Sequence, residues 1–485
     1  MNARTSDSFR FLTVGTSARL VRNLWDRIRV RGHYEILHLV HPTYDRGSWD
    51  RDLISSKVYF FRDDLRMRMP APDLNLLEGL ERMDVPTIHN MIMSDRVVSK
   101  LRYEDALSYA TFLARRLGKL YVEIQPSVII GDFDALHSSL ALAVARQLNI
   151  PWFALHFSTI PSGQAAFCAN LSPASTVLLE PQRKQELRGR VHEVLQDFET
   201  GRTRAPAYSP PSLLSPSFMF GHIPSQLRSV FQVLHRRRFR AYRKYSDYRN
   251  SYALTALFHE ASRLRKNLFS LGRQKNLVLK PPRDKRYAFF GLHMQPESSI
   301  DVFAHFFSNQ VRVIELMARS LPPTHALLVK LHKSDVPNYS SDYLAKLAKF
   351  PGLRIVAPYA NALDFIRNAD LIFAIQGTIG LEAALLGKPV IMFGDSPAKV
   401  FPSVATFGKA GDLPVLVREK LAAPQAGREE ILDALAEFLA PFYPASANDW
   451  GKRPSDAQID GYVHLFALLR EQLMAKVDAV CSVTA

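Results

Sequence analysis

Polar and apolar positions along this chain fall in blocks rather than alternating residue by residue. Short, continuous apolar runs stop abruptly in small polar loops, and amphipathic stretches follow them. Residues 11–14, 35–40, 128–130 and 150–155 read as strands in the first half, with helices over 18–30 and 135–148. In the second half the strands are 287–291, 326–331, 353–356, 371–375 and 390–393. Helices there are 309–321, 362–368 and 381–386. An unbroken apolar strand is buried on both faces, so the pattern predicts parallel sheets with crossover helices, an α/β fold.

Composition fits two such units. The chain has 485 residues, 47% of them hydrophobic, which exceeds one ordinary domain and supplies a core for each. The alternation divides it into 1–200, 286–440 and a helical segment 441–485. Between the first two, prolines cluster from Ala205 to Pro216 and a basic, aromatic run extends from Arg236 to Lys244. Residues 201–285 therefore read as a linker with a basic helical insertion. The net charge of +16 calls for an anionic partner: nucleic acid, a membrane surface or acidic small molecules. Arg236–Lys244, with Phe239, Tyr242 and Tyr245, fits an anionic membrane surface or a solvated helix face better than nucleic acid. Two cysteines, Cys168 and Cys481, and an N-terminus without an apolar export core predict a cytoplasmic protein. No stretch reads as a transmembrane helix.

The densest chemistry lies in the run Leu371 to Pro397. A strand ends in Gln376-Gly377-Thr378-Ile379-Gly380, and a helix follows. Such a loop presents backbone N–H groups and a hydroxyl to an anion at a helix N-terminus. Glu382, expected in the first helical turn, is placed to accept a ribose hydroxyl. Lys330 and His332 end another strand, where ligands bind in open α/β sheets. Gln295 and Glu297 follow a third strand, where they reach the ligand or orient the loop. Ser308 to Gln310 either cap the next helix or touch substrate. In the first half, Asp132, Asp134 and His137 cluster after a strand, with Asp132 first choice as general base. Helix capping is the structural alternative for Asp132, Asp134 and Thr378. Gly15, Thr16 and Ser17 form a second strand-end loop. No P-loop, dinucleotide fingerprint or zinc set is present. The Asp-x-Asp triplets Asp50-Arg-Asp52 and Asp132-Phe-Asp134 are short and common, so no metal site is expected.

These motifs carry a family resemblance. Gly291-Leu-His-Met-Gln-Pro-Glu297, Phe306-Phe-Ser-Asn-Gln310, Val329-Lys-Leu-His332 and Gln376-Gly-Thr-Ile-Gly-Leu-Glu382 occur in that order. The series resembles the capsule polysaccharide biosynthesis family, which includes bacterial Kdo transferases using CMP-Kdo. The resemblance covers residues 286–400. It implies a GT-B architecture, with two Rossmann-like domains facing a cleft, the first for the acceptor and the second for a nucleotide sugar. It further implies a glycosyltransferase of surface polysaccharide synthesis, with no cofactor beyond the donor substrate and a glycan or lipid-linked acceptor. Inversion and metal independence are expected, as is residence on the inner face of the membrane. One departure bears on the donor: Lys333 stands where the family typically has proline after the histidine. CMP-Kdo-like and UDP-sugar donors both remain open. A nucleotide-sugar epimerase of the same architecture and a non-catalytic scaffold are the alternatives.

Overall fold

The computed structural model describes residues 9–16, 20–40, 58–61, 69–133, 135–202, 277–295, 297–333, 335, 339, 341–445 and 454–483. The basic run 236–244, Ser17, Asp50, Asp52 and Asp134 lie outside these. The chain divides into two units. One holds the residues up to Leu187 together with those from Leu439 onward, and the other runs chiefly from Arg188 to Phe438.

The first unit opens with β1 (Arg10–Val14), which leads through a π-helical turn at Val21–Trp25 into α1 (Asp26–Gly32). Next come β2 (Glu35–Val40), β3 (Val58–Phe60), α2 (Leu74–Glu81), α3 (Ile88–Ser94) and the long α4 (Tyr103–Ile124). β4 (Val128–Gly131) and α5 (Ala135–Gln147) form the next crossover, followed by a hairpin of β5 (Trp152–Thr159) and β6 (Ser162–Cys168). Strands β3, β2, β1, β4 and β5 are parallel neighbours in that order, and β6 joins antiparallel. Connections run outward in both directions from β1 and β4. The topological switch point, where open α/β sheets bind ligands, therefore lies beyond the C-terminal ends of these two strands.

The second unit contains β7 (Arg286–Gly291), α6 (Gln310–Ser320), β8 (His325–Lys330), β9 (Leu353–Val356) and α7 (Ala362–Asn368). These lead to β10 (Leu371–Ala374), α8 (Thr378–Leu385), β11 (Val390–Met392), β12 (Val404–Thr406) and α9 (Leu413–Ala422). The six strands are all parallel, in the order β12-β11-β10-β7-β8-β9, a doubly wound Rossmann-like sheet with its switch point between β7 and β10. The central strands explain why their sequences are unbroken apolar runs. Ala288, Phe290, Leu371 and Phe373 enter the core on one face, while Tyr287, Phe289, Ile372 and Ala374 enter the core on the other.

The chain then returns to the first unit. β13 (Tyr443–Pro444) pairs antiparallel with β6, and α10 (Asp456–Val483) packs on α1. Ile459, Tyr462, Leu465, Phe466 and Leu469 of α10 join Phe11, Ile36, Val128, Trp25 and Ile28 in one cluster. Phe466 lies with its ring centroid 5.0 Å from Phe11 and 5.3 Å from Phe167. The helical segment expected at the end of the chain thus closes one face of the first sheet. The opposite face is covered by α5, which packs on β4 and β5, and by α4 behind it.

Candidate functional site

In the second unit, the segments at the ends of β7, β8 and β10 come together at the switch point. β10 ends in buried Gln376, whose side-chain amide donates to the Asp395 carbonyl and fixes the start of the loop. Gly377 follows with φ +83 and ψ −168, a backbone conformation that side chains other than glycine resist. It is also the N-cap of α8, so Thr378 is the first helical residue and not the cap. The Thr378 hydroxyl instead bonds the Glu382 carboxylate one turn on. Glu382 therefore lies beyond the first turn, correcting its expected position. Gly380 and Gly291 allow close packing: a Cβ on the first would meet Met392 Sδ at 2.5 Å, and one on the second would meet Ile379.

Lys330 and His332 end β8 beside this helix. The Lys330 ammonium donates to the Pro358 carbonyl at 2.7 Å and the Leu331 carbonyl at 3.4 Å. Burial, reinforced by the Lys333 charge, lowers its pKa to about 8, while Glu382 opposes the shift. Burial raises Glu382 to about 7, against the Thr378 hydrogen bond and the Lys330 charge. His332 is lowered to about 4 by burial and by Lys330 and Lys333, so its imidazole is neutral at pH 7. The His332 backbone N–H donates to the Tyr339 hydroxyl at 2.9 Å, which holds the turn after β8.

The loop after β7 is tied down by Gln310. Its side chain accepts from the His293 backbone N–H at 2.8 Å and donates to the His293 carbonyl and to Gln295 Oε1, both at 3.0 Å. Gln295 in turn donates to Asp301 at 3.2 Å, and the Glu297 N–H donates to the same carboxylate at 3.0 Å. Gln295 thus orients the loop. Asn309 caps α6 by accepting from the Arg312 N–H at 3.2 Å. His293 Nε2 accepts from the Gln376 N–H at 3.4 Å, joining this loop to that of β10. Burial and the His332 charge lower His293 to about 4. Gln310 and Tyr339 escaped sequence reasoning as organisers, because they act through the backbone of distant segments.

At the first unit's switch point, the Asp132 carboxylate is 44% exposed and approaches His137 Nε2 at 3.9 Å; the His137 side chain is 4% exposed. Ser138 donates to the other Asp132 oxygen. Gly15, φ +83, arches over this pair: a Cβ there would lie 2.6 Å from His137 Nε2 and 2.9 Å from Asp132 Oδ2. The Thr16 hydroxyl accepts from the Trp25 indole N–H at 2.9 Å. Buried Asp95, missed from the sequence, accepts from the Leu136 N–H at 3.0 Å and secures the start of α5. His156 on β5 was also missed; it lies edge-on to Phe133 at 6.2 Å.

Not every opening belongs to these sites. A cavity of about 810 Å³ lined by Lys280, Arg283, Arg286, Asp364, Arg367 and Asp370 lies at the N-terminal ends of the second sheet's strands. Arg286 and Asp370 pair there at 3.6 Å. Among the described residues no helix is long and apolar enough to cross a membrane.

Comparison with known proteins bears on the second unit most directly. Residues 208–398 match the family model described as capsule polysaccharide biosynthesis protein. A 72-residue stretch is 29% identical to the capsule polysaccharide modification protein LipA of Neisseria meningitidis serogroup B, spanning 15% of this chain and 10% of that protein. Among solved structures, KpsC beta Kdo 2,4 transferase of Thermosulfurimonas dismutans aligns at 14% identity, covering 71% of this chain and 87% of that one, with TM-score 0.33. UDP-GlcNAc 2-epimerase of Neisseria meningitidis aligns at 11% identity over 95% and 100%, with TM-score 0.29. The fold assignment stands on the strand order itself. The resemblance to the capsule polysaccharide biosynthesis family, read from the motifs, is shown for residues 208–398, which hold every residue of the cluster from His293 to Glu382.

Proposed function

We propose that this protein is a glycosyltransferase of capsule or surface polysaccharide synthesis. It moves a sugar from a nucleotide donor, CMP-Kdo-like or UDP-linked, to a glycan or glycolipid acceptor. The observation that carries this reading is the grouping of Lys330, Thr378 and Glu382 around the N-terminus of α8 at a Rossmann-like switch point. The leaving nucleotide gains negative charge on its phosphate. The α8 N-terminus and the Lys330 ammonium stabilise that charge. Among the described residues, two of the three Lys330 protons are committed to carbonyls, which leaves one for a phosphate oxygen. Glu382 holds a ribose hydroxyl. The neutral His332 and His293 line the floor as hydrogen-bonding groups rather than charges.

Asp132 is the base of this reaction. It takes the proton of the acceptor hydroxyl as that oxygen bonds the anomeric carbon and the bond from carbon to the nucleotide phosphate breaks. Buried His137 and Ser138 hold the carboxylate for this role. A single displacement of this kind inverts the anomeric centre. It needs no metal, since the α8 N-terminus and Lys330 stabilise the leaving charge. The protein works at the cytoplasmic membrane face, where lipid-linked acceptors are presented.

Thermal shift with CMP, UDP, GDP and their sugars is the first test. One nucleotide should raise the melting temperature, and Lys330→Gln should reduce the rise at the same nucleotide concentration. Asp132→Asn should keep that rise while slowing transfer by roughly 10²- to 10⁴-fold. Epimer formation from a nucleotide sugar without any acceptor would overturn the transferase reading.

A further inference from the structure

The cavity of about 810 Å³ in the second unit has no part in the chemistry above. One wall is the segment from Lys280 to Lys285. It is held at both ends: Val278 donates to the Ile355 carbonyl and accepts from the Ala357 N–H, both at 2.9 Å, and Arg286 opens β7. Pro281 and Pro282 stiffen the chain between those points. Asp364, Arg367 and Asn368 of α7, with Asp370 just before β10, supply the rest of the lining.

The volume falls within the roughly 300–1,000 Å³ of small-molecule sites, but the lining is not the usual apolar one. Among the described residues, no aromatic side chain lines it and the two prolines are its apolar surface. A nucleobase or an acyl chain has little to pack on there. The lining instead holds five cations and three carboxylates. Asp370 is committed to the Tyr287 N–H at 3.2 Å and to Arg286 at 3.6 Å. The remaining cations have no such neutralising contact. Arg367 donates to the Glu199 backbone carbonyl at 3.1 Å, and neither it nor Lys280, Arg283 or Lys285 forms an ion pair with a described residue. Asp284 and Asp364 are likewise unpaired, and all six of these residues are exposed. Four free cations therefore stand against two free carboxylates.

That mixture fits a ligand presenting two kinds of group. Guanidinium and ammonium donors take an oxyanion, while carboxylates accept from hydroxyls. The Asn368 amide donates to the Asp364 carbonyl at 2.8 Å, which leaves its oxygen as a further acceptor. A bare polyanion would be repelled by the two carboxylates, and a neutral sugar would leave the cations unused. We infer that this cavity binds an acidic sugar, a polyhydroxylated ring bearing a carboxylate or phosphate. A free acidic monosaccharide and one unit of an acidic glycan chain share that chemistry. The cavity is separate from the nucleotide site: Arg286 pairs with His325 at the start of β8, and Lys330 ends that strand.

Isothermal titration without nucleotide tests the inference apart from the transferase reading. Free galacturonate and glucose phosphate stand for the first source and oligogalacturonate for the second; galactose and pyrophosphate are the controls. An acidic sugar should bind roughly tenfold tighter than either control, and whichever probe binds names the source. Replacing Lys280, Lys285 and Arg367 together with Gln should weaken that binding roughly a hundredfold. Asp364→Asn should weaken the sugar and strengthen pyrophosphate. Lys330→Gln should leave the binding intact. The cavity substitutions lie on the surface, and unchanged circular dichroism and melting confirm their fold. Failure of every acidic sugar to bind, equal binding of a control, full binding by the triple variant, or loss of binding in Lys330→Gln would overturn the assignment.

Discussion

Glu382 and Lys330 titrate near neutrality because burial penalises the charge of each, and the two shifts act on stability in opposite directions. Glu382 rises from its ordinary 4.5 to about 7. Between those values the folded state holds a proton that the unfolded state has lost, so stability falls as pH rises through the window. Glu382→Gln should remove this fall and stabilise the protein at pH 8 by about 1–3 kcal/mol, read as a higher melting temperature. A variant no more stable than the parent at pH 8 would show that the carboxylate is well solvated. Lys330 falls from 10.5 to about 8, so the burden of its buried charge is full below pH 8 and fades above it. Its use to a phosphate follows the charge. Nucleotide affinity should decline as pH rises through 8, and Lys330→Gln should cost about ten- to a hundredfold and flatten the profile. His332→Ala should leave that pH profile in place, because its imidazole is already neutral; isothermal titration at several pH values separates the two variants.

Elements report how far the sequence could be read. Strands β7, β8, β10 and β11 of the second unit were legible because each is buried on both faces, so apolar content alone marks them. β2, β9 and α7 match their expected bounds. Short edge strands were not legible: β3 is half-buried and β12 partly exposed, and each exists through the neighbour it pairs with. The helices between residues 74 and 124 also went unassigned, although α4 buries a continuous stripe from Ala106 to Ile124. Within the candidate site, the proximity of Lys330, Thr378 and Glu382 could be anticipated because they follow strand ends, while Asp95 and Gln310 bond remote backbone and leave no local pattern. Gly377 shows how tightly the α8 entry is specified. Gly377→Ala must adopt a disfavoured backbone conformation and bring a Cβ to 3.2 Å from the His293 ring. It should destabilise the protein by about 1–3 kcal/mol. It should also abolish nucleotide binding even where the fold survives, which melting and calorimetry together reveal.

At the scale of the molecule, the first unit is discontinuous in sequence. Its β1 and α1 depend on α10, and Arg27 donates to the Pro454 carbonyl across 427 positions of chain. Gly461 lets α10 approach, since a Cβ there would collide with the Pro444 carbonyl. Phe466→Ala should cost about 3–5 kcal/mol by emptying the shared core, measurable by chemical denaturation. Deleting 456–483 should unfold the first unit and leave the second able to bind nucleotide. This arrangement sets an order of assembly on the ribosome. The second unit is essentially one uninterrupted stretch and can fold as soon as it emerges, while the earlier-made strands wait with an apolar face uncovered until the last helix arrives. Translation that stalls before α10 therefore releases a sticky, half-built sheet attached to a finished partner, a ready client for chaperones and proteases.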